Sequence, residues 1–232
     1  MRDRVRQFVR PQTPAGSTAP LRRLFLSTAL AISVCGVAVA TVTSTVVGPA
    51  GGAGGGGYAY WLAVKNRVFF DTPAPGPRVC GTRHGPAGPV AFLIGGGRDQ
   101  DKFTCNEPAG RPIYVDGLTN ECSTLRGDHN GFGTSPAQLR RCARAGFRGL
   151  SATATVDGRR VANYRRLIAT TPVVRFHVPR RNAFGIKPQG GRSVAHGEGL
   201  LLSRLSIGTH TIRITERLPQ GTNTVTYTVH VT

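Results

Sequence analysis

The chain has 232 residues, 39% of them hydrophobic, with 31 Gly and 16 Pro, and its Lys and Arg outnumber Asp and Glu by 30 to 11. That length and composition suit one or two loop-rich β domains, and the charge favours anionic surfaces such as polyanionic glycans, teichoic-type polymers, lipid headgroups or nucleic acid. Only three of the thirty cations are Lys, and no basic cluster is interleaved with aromatic residues, which argues against a specific nucleic-acid module.

Residues 1–47 read as an export signal or membrane anchor. Six Arg lie in the first 23 positions, ahead of the apolar run Leu24 to Val47. Ala38-Val39-Ala40 has the small-x-small form of a signal-peptidase site, and Arg22-Arg23-Leu24-Phe25-Leu26 is similar to the twin-arginine motif. An uncleaved run of this length spans a bilayer, and Cys35 is a candidate lipidation site. Each of these readings places the remainder outside the cytoplasm, extracellular or in the cell envelope. Residues 48–57 form a Gly-rich linker with no side chains to pack, and residues 58–232 form a single β-rich domain that keeps 24 basic against 10 acidic groups.

Within that domain Tyr58 to Phe70, with the only Trp at position 61, reads as a helix or an opening strand. Five prolines keep Asp71 to Pro89 extended or turning. Val90 to Ile94 is a short buried strand, followed by Gly95-Gly96-Gly97, which lacks the helix and Lys of a phosphate loop. Lys102 to Cys105 and Arg111 to Val115 read as strands around the turn Glu107 to Gly110. Ser135-Pro136-Ala137-Gln138 opens a helix with a capping box, which ends at Gly146. Leu150 to Val156 alternates as a strand before the turn Asp157-Gly158, and Val173 to Val178 is a strand closed by Pro179. Gly185 to Gly199 reads as a long glycine-punctuated loop before Leu200 to Leu202. The chain closes on two amphipathic strands: His210, Ile212 and Ile214 alternate with Thr and Arg, and Val225, Tyr227, Val229 and Val231 alternate with Thr and His230. An isolated hairpin is marginal in water, so a second layer is required. The expected fold is mainly β, a β-sandwich of immunoglobulin-like or jelly-roll-like type, with six to nine strands and one or two short helices.

Four cysteines, Cys80, Cys105, Cys122 and Cys142, make two disulfides in an exported chain. Three pairings are open; Cys80 with Cys105 and Cys122 with Cys142 staple the chain locally. No C-x-x-C spacing supports zinc, and no nucleotide or cofactor signature appears. The dense polar group Glu121, Asp128, His129 and Asn130 suits a metal or a sugar, with Glu121, Asp128 and His129 as the metal candidates. His196 and Glu198 form a second candidate, while His177 and His210 read as structural.

Trp61, Asp71, Cys80, Gly88-Pro89-Val90, Cys105, Pro108-Ala109-Gly110, Asn120-Glu121-Cys122, Leu139 to Ala143, Val156-Asp157-Gly158, Tyr164-Arg165, Pro179, Asn182 and Gly208 to Ile212, in that order, resemble a family of uncharacterised secreted bacterial proteins across Tyr58 to Thr232. The resemblance implies export and one β-rich domain and supplies no catalytic residue. Where that family shows a Val-Ala-Asp-Gly-aromatic run, Val194 to Glu198 stands here. The resulting expectation is an exported, non-catalytic binding or envelope-associated module with a basic surface, meeting an anionic cell-envelope polymer or lipid headgroups, and a membrane only through an uncleaved N-terminal segment. The rival expectations are a metal-dependent hydrolase using the loop Glu121 to Asn130, and a structural exoprotein without a ligand.

Overall fold

A computed structural model describes residues 57–74, 76–77, 79–95, 101–126 and 131–232, with the side chains of residues 165 and 166 left out. The export segment, most of the linker, Cys35, Gly96-Gly97 and the loop residues Asp128, His129 and Asn130 lie outside the described residues.

Tyr58–Asp71 is helix α1. Tyr58, Trp61, Leu62, Asn66 and Phe70 recur at three- and four-residue intervals and form its buried stripe. Pro73 disfavours helical geometry at Thr72, whose hydroxyl donates back to the Val68 carbonyl at 2.6 Å.

The strands form three sheets. In the first, β1 (Cys80–Gly85) and β2 (Gly88–Leu93) make a hairpin, β4 (Ile113–Val115) lies parallel to β2, and β11 (Leu200–Leu202) lies antiparallel to β4. The second holds five strands in the order β3 (Lys102–Glu107), β13 (Gly221–Val231), β12 (Gly208–Leu218), β6 (Ser151–Val156) and β7 (Arg159–Arg160), with only β3 parallel to its neighbour. In the third, β10 (Gln189–Gly197) pairs β5 (Thr119–Ser123), β8 (Ala169–Thr170) and β9 (Val174–Val178).

The four- and five-stranded sheets face each other. Ala91, Leu93, Ile113, Val115, Leu200 and Leu202 meet Ala152, Ala154, Ile212, Ile214, Val225, Tyr227 and Val229 in the largest core cluster. The other face of the four-stranded sheet is also apolar: Val90, Phe92, Tyr114 and Leu201 pack under Tyr58, Trp61 and Leu62 of α1. Phe92 and Tyr114 stack at 4.7 Å and Trp61 lies 6.1 Å from Phe92. Burial on both faces is why these strands read as continuous apolar runs rather than alternations. The fold is therefore a mainly β sandwich, with a helix covering its inner sheet.

Helix α2 (Pro136–Gly146) begins with the expected capping box, in which Ser135 Oγ accepts from the Gln138 amide and the Gln138 side chain accepts from the Ser135 amide. It packs on the third sheet through Leu139 and Ala143. The disulfides join Cys80 to Cys105 and Cys122 to Cys142. The first ties the two sandwich sheets together and the second ties β5 to α2.

Several expectations are corrected. Gly185 to Gly199 is not a long loop, because Gln189–Gly197 is the central strand of the third sheet. Two of its glycines serve close packing: a Cβ at Gly191 would enter the Phe176 ring, and one at Gly197 would overlap the Leu118 carbonyl oxygen. Pairing on two sides supplies the order that the glycines alone do not suggest. The strands on either side of Glu107 to Gly110 are not a hairpin, since β3 and β4 belong to different sheets. The strands β1 and β5 were unexpected, and the described residues hold thirteen strands rather than six to nine. The closing hairpin turns through Pro219-Gln220 alone, with Gly221 at φ 144°.

Gly197→Ala lowers stability by about 1–3 kcal/mol, the usual range for an overpacked interior, when unfolding is followed in urea. Gly190→Ala in the same strand, where an added Cβ meets nothing nearer than 3.8 Å, stays within about 0.5 kcal/mol of the parent.

Candidate functional site

Period-2 alternation sends every second residue of the five-stranded sheet into the core and the others outward. The outward set is Lys102, Thr104 and Asn106 on β3, and Thr222, Thr224, Thr226, Thr228 and His230 on β13. On β12 it is Thr209, Thr211, Arg213, Thr215 and Arg217; on β6 it is Ser151, Thr153 and Thr155; on β7 it is Arg160. These side chains are exposed or half-buried. The face is dominated by hydroxyls and cations, with Asn106 and His230 beside them, and none of these paired positions is a carboxylate. Threonine suits both requirements here: its branched Cβ favours the strand, and its hydroxyl both donates and accepts.

At one margin the face sinks into a cleft of about 510 Å3 lined by Ser151, Thr153, Arg160, Asn163, Thr215 and Arg217. It forms because β7 lasts only two residues. The Val161 amide still holds the Ala154 carbonyl at 2.9 Å, after which Asn163, at φ 55°, turns the chain into a 3-10 turn over Tyr164–Leu167. Two guanidinium groups and three hydroxyls thus share one concavity. Guanidinium forks match carboxylate, phosphate and sulfate oxygens.

The carboxylates lie elsewhere. Of the ten beyond residue 40, Glu107, Asp116, Glu121 and Glu198 are buried. Asp116 pairs with Lys65 of α1 at 3.2 Å, and the same ammonium donates to Thr119 Oγ1 at 2.9 Å. Burial raises the Asp116 carboxyl above its ordinary value, and Lys65 partly opposes the rise. Glu198 Oε1 accepts from the Ala152 amide at 2.6 Å. Burial also holds the phenols of Tyr58, Tyr114 and Tyr164 well above their ordinary value. Glu216, bonded to Asn223 at 3.1 Å, is raised by burial.

Of the metal candidates, Glu121 is described, while Asp128 and His129 lie outside the described residues. Glu121 is buried on β5, on the face of Thr119 that meets α1, whereas Asn120 and Cys122 meet α2 on the opposite face. Among the described residues no three His, Cys, Asp or Glu side chains are grouped to hold a metal ion. His196 Nδ1 lies 2.8 Å from Thr170 Oγ1, with its ring edge-on to Phe147. Burial lowers its pKa, and Arg144 adds to the effect. Glu198 is engaged at Ala152, so these two side chains serve different elements. His210 is a structural clasp, with Nδ1 2.8 Å from Asp157 Oδ2 and Nε2 2.9 Å from the Ser206 carbonyl. The His177 amide donates to Asp71 Oδ1 at 2.7 Å, which ties β9 to the end of α1. Among the described residues no helix is long and apolar enough to cross a membrane.

The sequence alone does not mark the hydroxyl face as a site. Its signal is present in the sequence as Thr recurring at alternate positions of three separate strands, among Arg, Ser and His, but only register shows that the three wet faces are one.

No protein-family model matches the chain, and no curated protein matches it. Among solved structures it is similar to PbICP-C in complex with falcipain-2, at 10% identity over 61% of this chain and 97% of that one, with a TM-score of 0.23. It is also similar to amebosin, at 14% identity over 58% and 100% of the two chains and a TM-score of 0.22. A third similarity is to the cysteine protease inhibitor EhICP2 from Entamoeba histolytica, at 14% identity over 58% and 88%, with a TM-score of 0.20. TM-scores at this level do not define a shared fold.

Glu216 gives a pH test. Below its ordinary value of 4.5 the carboxyl is protonated in both folded and unfolded chains. As pH rises through the higher folded value, ionisation becomes costly in the fold alone, and stability falls. Glu216→Gln, which still accepts from Asn223, therefore matches the parent near pH 4 and exceeds it at pH 7 in urea unfolding; equal stability at both pH values contradicts the assignment.

Proposed function

We propose that the chain is an exported, non-catalytic binding module whose hydroxyl- and guanidinium-rich sheet face engages an anionic polymer of the cell envelope. The observation that carries this reading is the separation of charge. The outward face of the five-stranded sheet has three Arg and one Lys with no carboxylate, while four of the domain's ten acidic side chains are buried. A face so arranged presents charge of one sign, and a one-signed field steers polyanions.

The chemistry of the face is that of holding. Guanidinium groups and hydroxyls bind anions and sugars, and His230 is already engaged by Thr209 at 3.0 Å. Export is supported by the Arg-rich start with its apolar run and by two disulfides, which persist in oxidising compartments. The resemblance to secreted bacterial proteins points the same way.

The test is retention of the full chain on immobilised dextran sulfate, with neutral dextran as control. Retention weakens steeply between about 50 and 200 mM salt, as it does where cations displace counterions from a polyanion. The double variant Arg160→Gln/Arg217→Gln loses roughly tenfold in affinity, about 1.4 kcal/mol, whereas Arg175→Gln, exposed on β9, keeps parental retention. Absent or salt-insensitive retention overturns the proposal.

A further inference from the structure

One row of side chains crosses all five strands of the sheet. Arg160 on β7 is opposite Thr155 on β6, Thr155 is opposite Arg213 on β12, Arg213 is opposite Thr226 on β13, and Thr226 is opposite Lys102 on β3. The order across the face is Arg, Thr, Arg, Thr, Lys. Neighbouring strands lie about 4.7–4.9 Å apart, so the cation-bearing strands are separated by two spacings, roughly 9.5 Å. A threonine hydroxyl stands midway in each gap.

The flanking rows do not repeat the pattern. On one side Thr153, Thr215 and Thr224 are in register, and on the other Thr211, Thr228 and Thr104. The row is thus a ladder of positive charge with a long, regular period, bordered by hydroxyls, with the half-exposed Asp157 carboxylate against the Thr211 amide at the β6 end of one border.

Resting on the reading of this face as anion-binding, we propose that the row holds a linear acidic polysaccharide carrying one acidic group on every second sugar, laid across the strands. Each acidic sugar meets a cation, and each neutral sugar meets a threonine hydroxyl that donates to and accepts from its own hydroxyls. A polymer with an anion on every short unit, such as a polyol phosphate, would set alternate anions against threonine. DNA carries its charges still more densely, at about 3.4 Å per strand, and the row has no aromatic ring on which a base would stack. Sheet twist of about 20–25° per strand makes the row a shallow helical path, which rotation about glycosidic bonds can follow.

The test is isothermal titration of the full chain at one fixed salt concentration with three size-matched probes. These are an oligosaccharide alternating uronic acid with neutral amino sugar, a polyuronate acidic at every sugar, and a polyglycerol phosphate. The alternating probe binds about tenfold more tightly than either other probe. Arg213→Gln, at the middle of the row, abolishes that preference, whereas Arg217→Gln, off the row, weakens all three probes alike. Thr226→Lys, which halves the charge period on one side, moves the preference toward the fully acidic polyuronate. Equal affinity of the parent for all three probes, or equal weakening of all three by Arg213→Gln, overturns the row and leaves the anion-binding face standing. Failure of every probe to bind overturns both.

Discussion

The inner sheet of the sandwich is apolar on both sides, and that requirement organises the rest of the domain. Strands β2, β4 and β11 put Ala91, Leu93, Ile113, Val115, Leu200 and Leu202 toward one layer and Val90, Phe92, Tyr114 and Leu201 toward another. At about 25 cal/mol per Å2 of apolar surface, neither face can be left to water. The five-stranded sheet covers the first and α1 covers the second. The polar groups of α1 then need partners indoors: Lys65 finds Asp116 and Thr119, and Asn66 donates to Ser193 Oγ at 2.8 Å. The helix is thereby fixed to both the inner sheet and the third sheet.

This arrangement also sorts charge. Carboxylates drawn inward to satisfy Lys65 and buried backbone amides, as Asp116 and Glu198 do, are withdrawn from the surface. Because one face of the five-stranded sheet closes the core, its other face is free to take any residue that tolerates a strand. Threonine fills most of those places, with arginine and lysine among them. A single packing requirement thus leaves a flat face of hydroxyls and cations.

Much of the fold was legible in the sequence because its signals are local. Alternation gave the closing strands and β6, the Ser-Pro-Ala-Gln start gave α2, and even cysteine number with short separations pointed to the two disulfides that the structure contains. What depended on distant partners was not legible. The run Gly185 to Gly199 looks like a loop until Phe176 and Leu118 stand against Gly191 and Gly197. Cys80 to Gly85 lies in a proline-rich stretch and becomes a strand only by pairing with β2. The candidate face had the same character: Thr155, Arg213, Thr226 and Lys102 are scattered over 125 positions of chain, and register alone makes them neighbours. The loop candidates Asp128 and His129 lie outside the described residues.

The most direct measurement of the central claim is a threonine-methyl spectrum of the full chain titrated with dextran sulfate. Shifts at Thr153, Thr155, Thr215, Thr224 and Thr226, with the buried Thr171 unmoved, are the expected result. Shifts confined to threonines off the five-stranded sheet, such as Thr119 and Thr134, would place the binding surface elsewhere and contradict the account.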